Sequence, residues 1–141
     1  MDTSETYIKQ CEKAEEIQES WQALKHDLYV YREDDLKFHI HMVRQDYIPQ
    51  YLTKYPVYVW LPRQDQLQEM VGATSLWDLN HRYSRWLYDV DDVGLCDFHI
   101  KHEHEFSSME QLWLAFVMKE LYNKVWDGES WLMVKDLVGA K

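Results

Sequence analysis

The chain has 141 residues, a formal net charge of −10 at pH 7, 46 % hydrophobic and 15 % aromatic residues, with seven Trp and ten Tyr. That length suits one domain burying roughly 68–70 % of its unfolded surface, and the apolar content excludes disorder over most of it. The acidic charge argues against a general nucleic-acid binder, because phosphates would be repelled over most of the surface. No apolar run reaches the ~18–20 residues of a membrane span.

The start, MDTSETYIKQ, is polar and acidic and lacks the basic and apolar regions of a signal peptide. Cys11 and Cys96 are too few and too far apart for a disulfide framework or a CxxC site, so a reduced, cytoplasmic protein is expected. A first helix is expected from Thr3 or Ser4 to about Leu24, with Tyr7, Cys11, Ala14, Ile17, Trp21 and Leu24 on one apolar face. Its outer face carries Glu5, Lys9, Glu12, Lys13, Glu15, Glu16 and Glu19, with Glu5 and Lys9 placed to pair four residues apart.

The period then changes. Asp27–Arg32 and Leu36–Val43 are rich in strand formers and flank the turn-like Glu33-Asp34-Asp35, so they predict a hairpin. In the second strand Phe38, Ile40 and Met42 share one face, and His39 and His41 the other. Val57–Trp60 predicts a third strand, which Pro62 closes. Arg63–Val71 follows as a short surface helix, ended by Gly72. Ser75 caps another helix, with Leu76, Leu79, Tyr83, Trp86 and Leu87 on one face. Asp89–Gly94 is expected to be a loop, and Leu95–Phe106 alternates as a strand does.

Ser108–Tyr122, SMEQLWLAFVMKELY, predicts the central helix. Ser108 and Gln111 form a capping-box start. Met109, Leu112, Phe116 and Leu121 recur at helical spacing, while Trp113, Leu114, Val117 and Met118 make the surface apolar almost all round, as in a helix covered on several sides. Asn123 suits a left-handed helix end. Val125-Trp126 and Trp131–Val134 then flank Asp127-Gly128-Glu129-Ser130, a tight hairpin or sharp return expected to bring a C-terminal strand onto the sheet. The expected fold is a single α+β domain over residues 1–141, an antiparallel sheet of four to six strands with three or four helices.

With glycine only at positions 72, 94, 128 and 139, a phosphate-binding loop or dinucleotide fingerprint is excluded. GxSxG, HExxH and CxxC are also absent. Histidine offers one constellation: residues two apart on a strand share a face, so His39/His41 and His102/His104 could each present two imidazoles to zinc. Phe98, Ile100, His102, His104 and Phe106 fall on one face of that expected strand. The residues that would complete a four-ligand site cannot be named from spacing, and satisfied or exposed histidines account for the same pattern. Tyr29, Tyr31, Tyr58 and Trp60 read most simply as core.

The segments YIKQCEKAEEIQESW, VWLPRQDQLQEMV and SMEQLWLAFVMKELYNKVWDGESW, spread over the whole of the chain, resemble a set of small uncharacterised proteins encoded by phages and prophages of Gram-positive bacteria. The resemblance implies an accessory protein acting inside the bacterial cell, and it brings no catalytic residues with it. The expected function is a non-enzymatic accessory protein without cofactor. It would bind a host or phage protein that has a basic surface, with Glu12, Glu15, Glu16 and Glu19 as the partner-binding residues, and could thereby inhibit a host defence or nucleic-acid-processing protein. Direct nucleic-acid or membrane binding is not expected. The alternative is a metal-binding protein or metal-dependent enzyme that holds zinc through His102 and His104, with His39 and His41 as further ligands.

Overall fold

Ser4 begins the first helix by accepting a hydrogen bond from the Tyr7 amide (3.2 Å) into its hydroxyl, which satisfies a donor the first turn leaves unpaired. The computed structural model describes residues 1–34, 37–44, 58–88 and 106–135. Within them the order is α1 (Glu5–Lys13), α2 (Glu15–Glu19), β1 (Leu28–Asp34), β2 (Lys37–Met42), β3 (Tyr58–Leu61), α3 (Gln64–Met70), α4 (Leu76–Leu87), α5 (Met109–Tyr122), β4 (Lys124–Trp126) and β5 (Trp131–Met133). The fold is α+β, as the sequence predicts. No described helix is long and apolar enough to cross a membrane.

The single first helix expected to Leu24 is instead two. Ala14 sits at φ −87°, ψ 73°, outside the helical region, and α2 ends at Glu19. The break is useful to the sheet. It turns Gln18 inward, where its amide accepts from the Trp60 N–H (2.7 Å) and donates to the Trp60 carbonyl (3.0 Å) and the Cys11 carbonyl (3.1 Å). One side chain thus does for the β3 edge what a neighbouring strand would do. The apolar spacing hides this, because Tyr7, Ile8, Cys11, Ala14 and Ile17 are all buried on either side of the kink.

The three-stranded sheet has the order β2-β1-β3, both pairs antiparallel. Register pairs Val30 with Ile40 and Val59, and Tyr29 with His41 and Trp60. Val30, Val59 and Leu61 therefore share a buried face, on which Ile40 and Met42 of the outer strand remain 40 % and 44 % exposed. The C-terminal hairpin forms as expected, but its placement is a correction. β4 and β5 form a separate two-stranded sheet and do not extend the first one, so among the described residues there are sheets of three and two strands where one sheet of four to six was expected. This hairpin packs on α5, and Trp131 reaches across to donate its indole N–H to the Gln10 carbonyl of α1 (2.9 Å). Gly128, at φ +104°, takes the turn conformation that residues with a side chain rarely adopt.

α5 is the core helix. Trp113 through Met118 are all buried, and Asn123 ends the helix in the left-handed conformation at φ 54°. Only its ends surface, so the expected core positions Met109 and Leu121 are 47 % and 41 % exposed. α3 was expected to be a surface helix, yet it packs closely along α5 and buries Leu67 and Val71 completely or nearly so. Leu67 and Met70 on the helix, with Val71 at its end, suffice when α5 is apolar on the side that receives them. α4 reaches α5 through large rings: Tyr83 stacks on Trp113 with centroids 4.1 Å apart, and Tyr83 and Trp86 both meet Phe116 at 5.5 Å.

Candidate functional site

Each expected site residue is placed by one of these elements. On the outer face of α1 and α2, Glu15 and Glu19 are exposed while Glu12 and Glu16 are half-buried. Glu16 forms an ion pair with Lys124 of β4, so part of its charge is spent within the fold. Lys9, placed by spacing to pair with Glu5, pairs instead with Glu129 in the C-terminal turn. The kink at Ala14 separates Glu12 from the other three. The acidic row is therefore divided, with Glu15 and Glu19 its most accessible members.

His39 and His41 lie exposed on the outer face of β2, their ring centroids 6.3 Å apart, and His41 stacks on Tyr29 at 5.5 Å. His102 and His104 lie outside the described residues, as do 95–105 of the expected strand. Among the described residues no group of three or more His, Cys, Asp or Glu is placed to hold a metal ion. Burial pushes the Cys11 thiol well above its ordinary value, with a hydrogen bond to Tyr7 opposing the shift, so this thiol stays protonated and unreactive.

The register puts Tyr29, Tyr31, Tyr58 and Trp60 on the same sheet face as the two histidines. Trp60 lies against Trp21 in a parallel stack at 5.9 Å, and Tyr58 meets Tyr29 and Tyr31 at 5.9 and 5.5 Å. The expected core assignment holds for Trp60, which is 4 % exposed, whereas the three tyrosines are only half-buried.

The surface feature that sequence reasoning missed is at the start of α4. Leu76 was expected on the apolar face and is 86 % exposed; Trp77 beside it is 72 % exposed. Every other Trp in the chain is buried or half-buried. Trp77 is not loose, because its ring stacks on His81 one turn along at 4.9 Å and within 6° of parallel. The turn that carries it is fixed as well. Ser75 accepts from the Asp78 amide (3.0 Å), Asp78 accepts from the Thr74 amide (3.0 Å), and Arg82 ties Asp78 (3.7 Å) to Glu120 of α5 (2.8 Å). The available signal in the sequence was Leu76-Trp77 directly after a Ser cap, about 100° apart on the first turn, with Trp77 off the direction of the Leu79–Tyr83–Trp86 stripe.

Chemically, this is an apolar projection held rigidly on a strongly acidic molecule. Such a projection is suited to docking against another surface. No protein-family model, no curated protein and no solved structure matches this chain.

Proposed function

We propose that the protein is a non-enzymatic accessory protein that binds a partner protein with a basic surface. The exposure of Trp77, next to Leu76 and on a helix anchored to the core, carries this reading. An exposed Trp that is already ordered loses little freedom on docking, and such residues dominate the binding energy of interfaces. The net charge of −10 adds attraction to a basic partner, speeds encounter and makes binding weaken with salt. Glu15 and Glu19 are the accessible part of that charge, with Glu12 and Glu16 beside them. The resemblance to phage and prophage proteins supports a host protein as the partner. An acidic protein seated on the basic groove of a defence or nucleic-acid-processing enzyme would block that groove.

Affinity capture from host cells at low and high salt, with the wild type and Trp77→Ser compared, tests the reading. A stoichiometric basic partner retained by the wild type, released by salt and lost with Trp77→Ser is the expected result. A partner set unchanged by both treatments would overturn it.

A further inference from the structure

Away from α4, the connector that follows α2 and the helix α3 flank a shallow, open cleft of about 230 Å³. Its apolar part is made by Leu24, Trp60 and Met70, and its polar part by Gln22, Gln66 and Glu69. Leu24 is 60 % exposed although it was expected to end the apolar face of the first helix, so its side chain is offered to the cleft mouth and not to the core. Glu69 and Gln22 are exposed too, and no ion pair joins Glu69 to any described residue.

Both walls are fixed before anything binds. Asp27, wholly buried, accepts from the Leu24 amide (2.9 Å) and the Trp21 indole (3.0 Å) on the connector side. From α3 and its cap it accepts from the Gln66 side chain (2.7 Å) and from the Arg63 guanidinium (3.0 Å). Trp60 below is clamped through its backbone by Gln18 and through its ring by Trp21. A cleft whose walls are bonded together loses little entropy when filled.

The cleft is smaller than the roughly 300 Å³ at which small-molecule pockets begin, so one side chain suits it better than a cofactor. The occupant that fits an apolar floor with a carboxylate at the rim, unpaired among the described residues, is a long aliphatic stem ending in a cation. We infer that this cleft receives a lysine or arginine side chain projecting from the basic partner protein, its stem along Leu24 and Met70 and its charge at Glu69. The inference rests on the proposed reading of the protein as a binder of basic partners, and names a second point of contact apart from Trp77.

It is tested without the partner. Nα-acetyl-lysine methylamide and Nα-acetyl-arginine amide are titrated into the full chain, and the methyl resonances of Leu24 and Met70 are followed by NMR. Saturable shifts with dissociation constants on the order of 1–10 mM are expected for an isolated side chain. Glu69→Gln should weaken them about two- to five-fold, the range for an exposed ion pair, and Leu24→Ser should weaken them with the carboxylate intact. The uncharged norleucine analogue should bind less well than either. Three results would overturn the inference: no saturable shift; equal binding by norleucine or by Glu69→Gln; or the same shifts on raising protein concentration alone, which would assign the cleft to a second copy of the chain. None of these bears on Trp77-dependent capture, so the failure of the cleft and the failure of the binding function are separable.

Discussion

Gln66 and Asp27, 39 residues apart in sequence, are joined by a 2.7 Å hydrogen bond from the Gln66 amide to a carboxylate with no exposure to solvent. The same carboxylate accepts from Arg63, Trp21 and the Leu24 amide, so it ties the connector after α2 to α3. Gln66 also returns its carbonyl oxygen to the Arg63 amide (2.9 Å), closing the first turn of α3. A buried carboxylate is tolerable here because four donors surround it.

Asp27→Ala should therefore destabilise the protein by roughly 2–4 kcal/mol. Arg63 and Gln66 can turn to water, whereas the Trp21 indole and the Leu24 amide are left without their acceptor, at about 1–3 kcal/mol for each donor that stays buried. Urea denaturation of the two proteins measures it. A loss within about 0.5 kcal/mol, the size of a neutral surface change, would show that these bonds hold nothing together.

Phe116→Ala should cost about 3–5 kcal/mol, the range for truncating a buried aromatic. Phe116 has no exposure and meets Tyr83, Trp86 and Trp113. Its loss leaves a cavity between α4 and α5 that three rigid rings cannot close. Chemical denaturation is the check, and a loss under about 1 kcal/mol would remove α5 from the core.

Stability should fall in alkali. Burial raises the Tyr7 hydroxyl well above its ordinary 10.0, and the hydroxyl donates to the Pro62 carbonyl at 2.7 Å. Burial likewise raises Tyr83 to about 12. The folded state thus favours the protonated phenols. Their contribution is complete below the unfolded value near 10 and is lost as pH rises toward the folded values, since the unfolded chain then binds fewer protons. The urea midpoint should be flat in this respect up to about pH 9–10 and decline above it. Tyr83→Phe should flatten the decline between pH 10 and about 12. An unchanged slope in that variant would show that Tyr83 ionises freely in the fold.

Glu15→Lys combined with Glu19→Lys should leave stability within about 0.5 kcal/mol, because both side chains are exposed on one short helix. It should nevertheless weaken partner binding measured at low salt, with the difference shrinking at high salt. Glu16→Lys is the contrasting variant. It also opposes Lys124 across the α2–β4 contact, so it should lower the melting temperature as well as binding. Binding that is indifferent to the double reversal would leave the acidic face with a solubility role alone.

The sequence by itself determined the elements whose signals are local. Ser4, Ser75 and Ser108 cap helices because a hydroxyl three residues before an amide closes the first turn wherever the helix lies. The apolar girth of α5 could only mean burial, Asn123 could only mark its end, and the alternation in β1 and β2 placed His39 and His41 on one face with no knowledge of what covers it. What depends on a distant partner was decided by tertiary structure. Periodicity reads through Ala14 without seeing a break, since the helix is interrupted by the needs of the β3 edge, met by Gln18 42 residues away. Leu67 is core, and Leu76 and Leu24 are surface, although all three are leucines at helix-compatible spacing; only Leu67 has α5 opposite it. The same holds for tryptophan. Composition said that seven aromatic anchors existed, but which of them is spent inside and which stands in water is set by the packing of α4 through Tyr83 and Trp86, which leaves the first turn, and Trp77 with it, beyond the edge of the core.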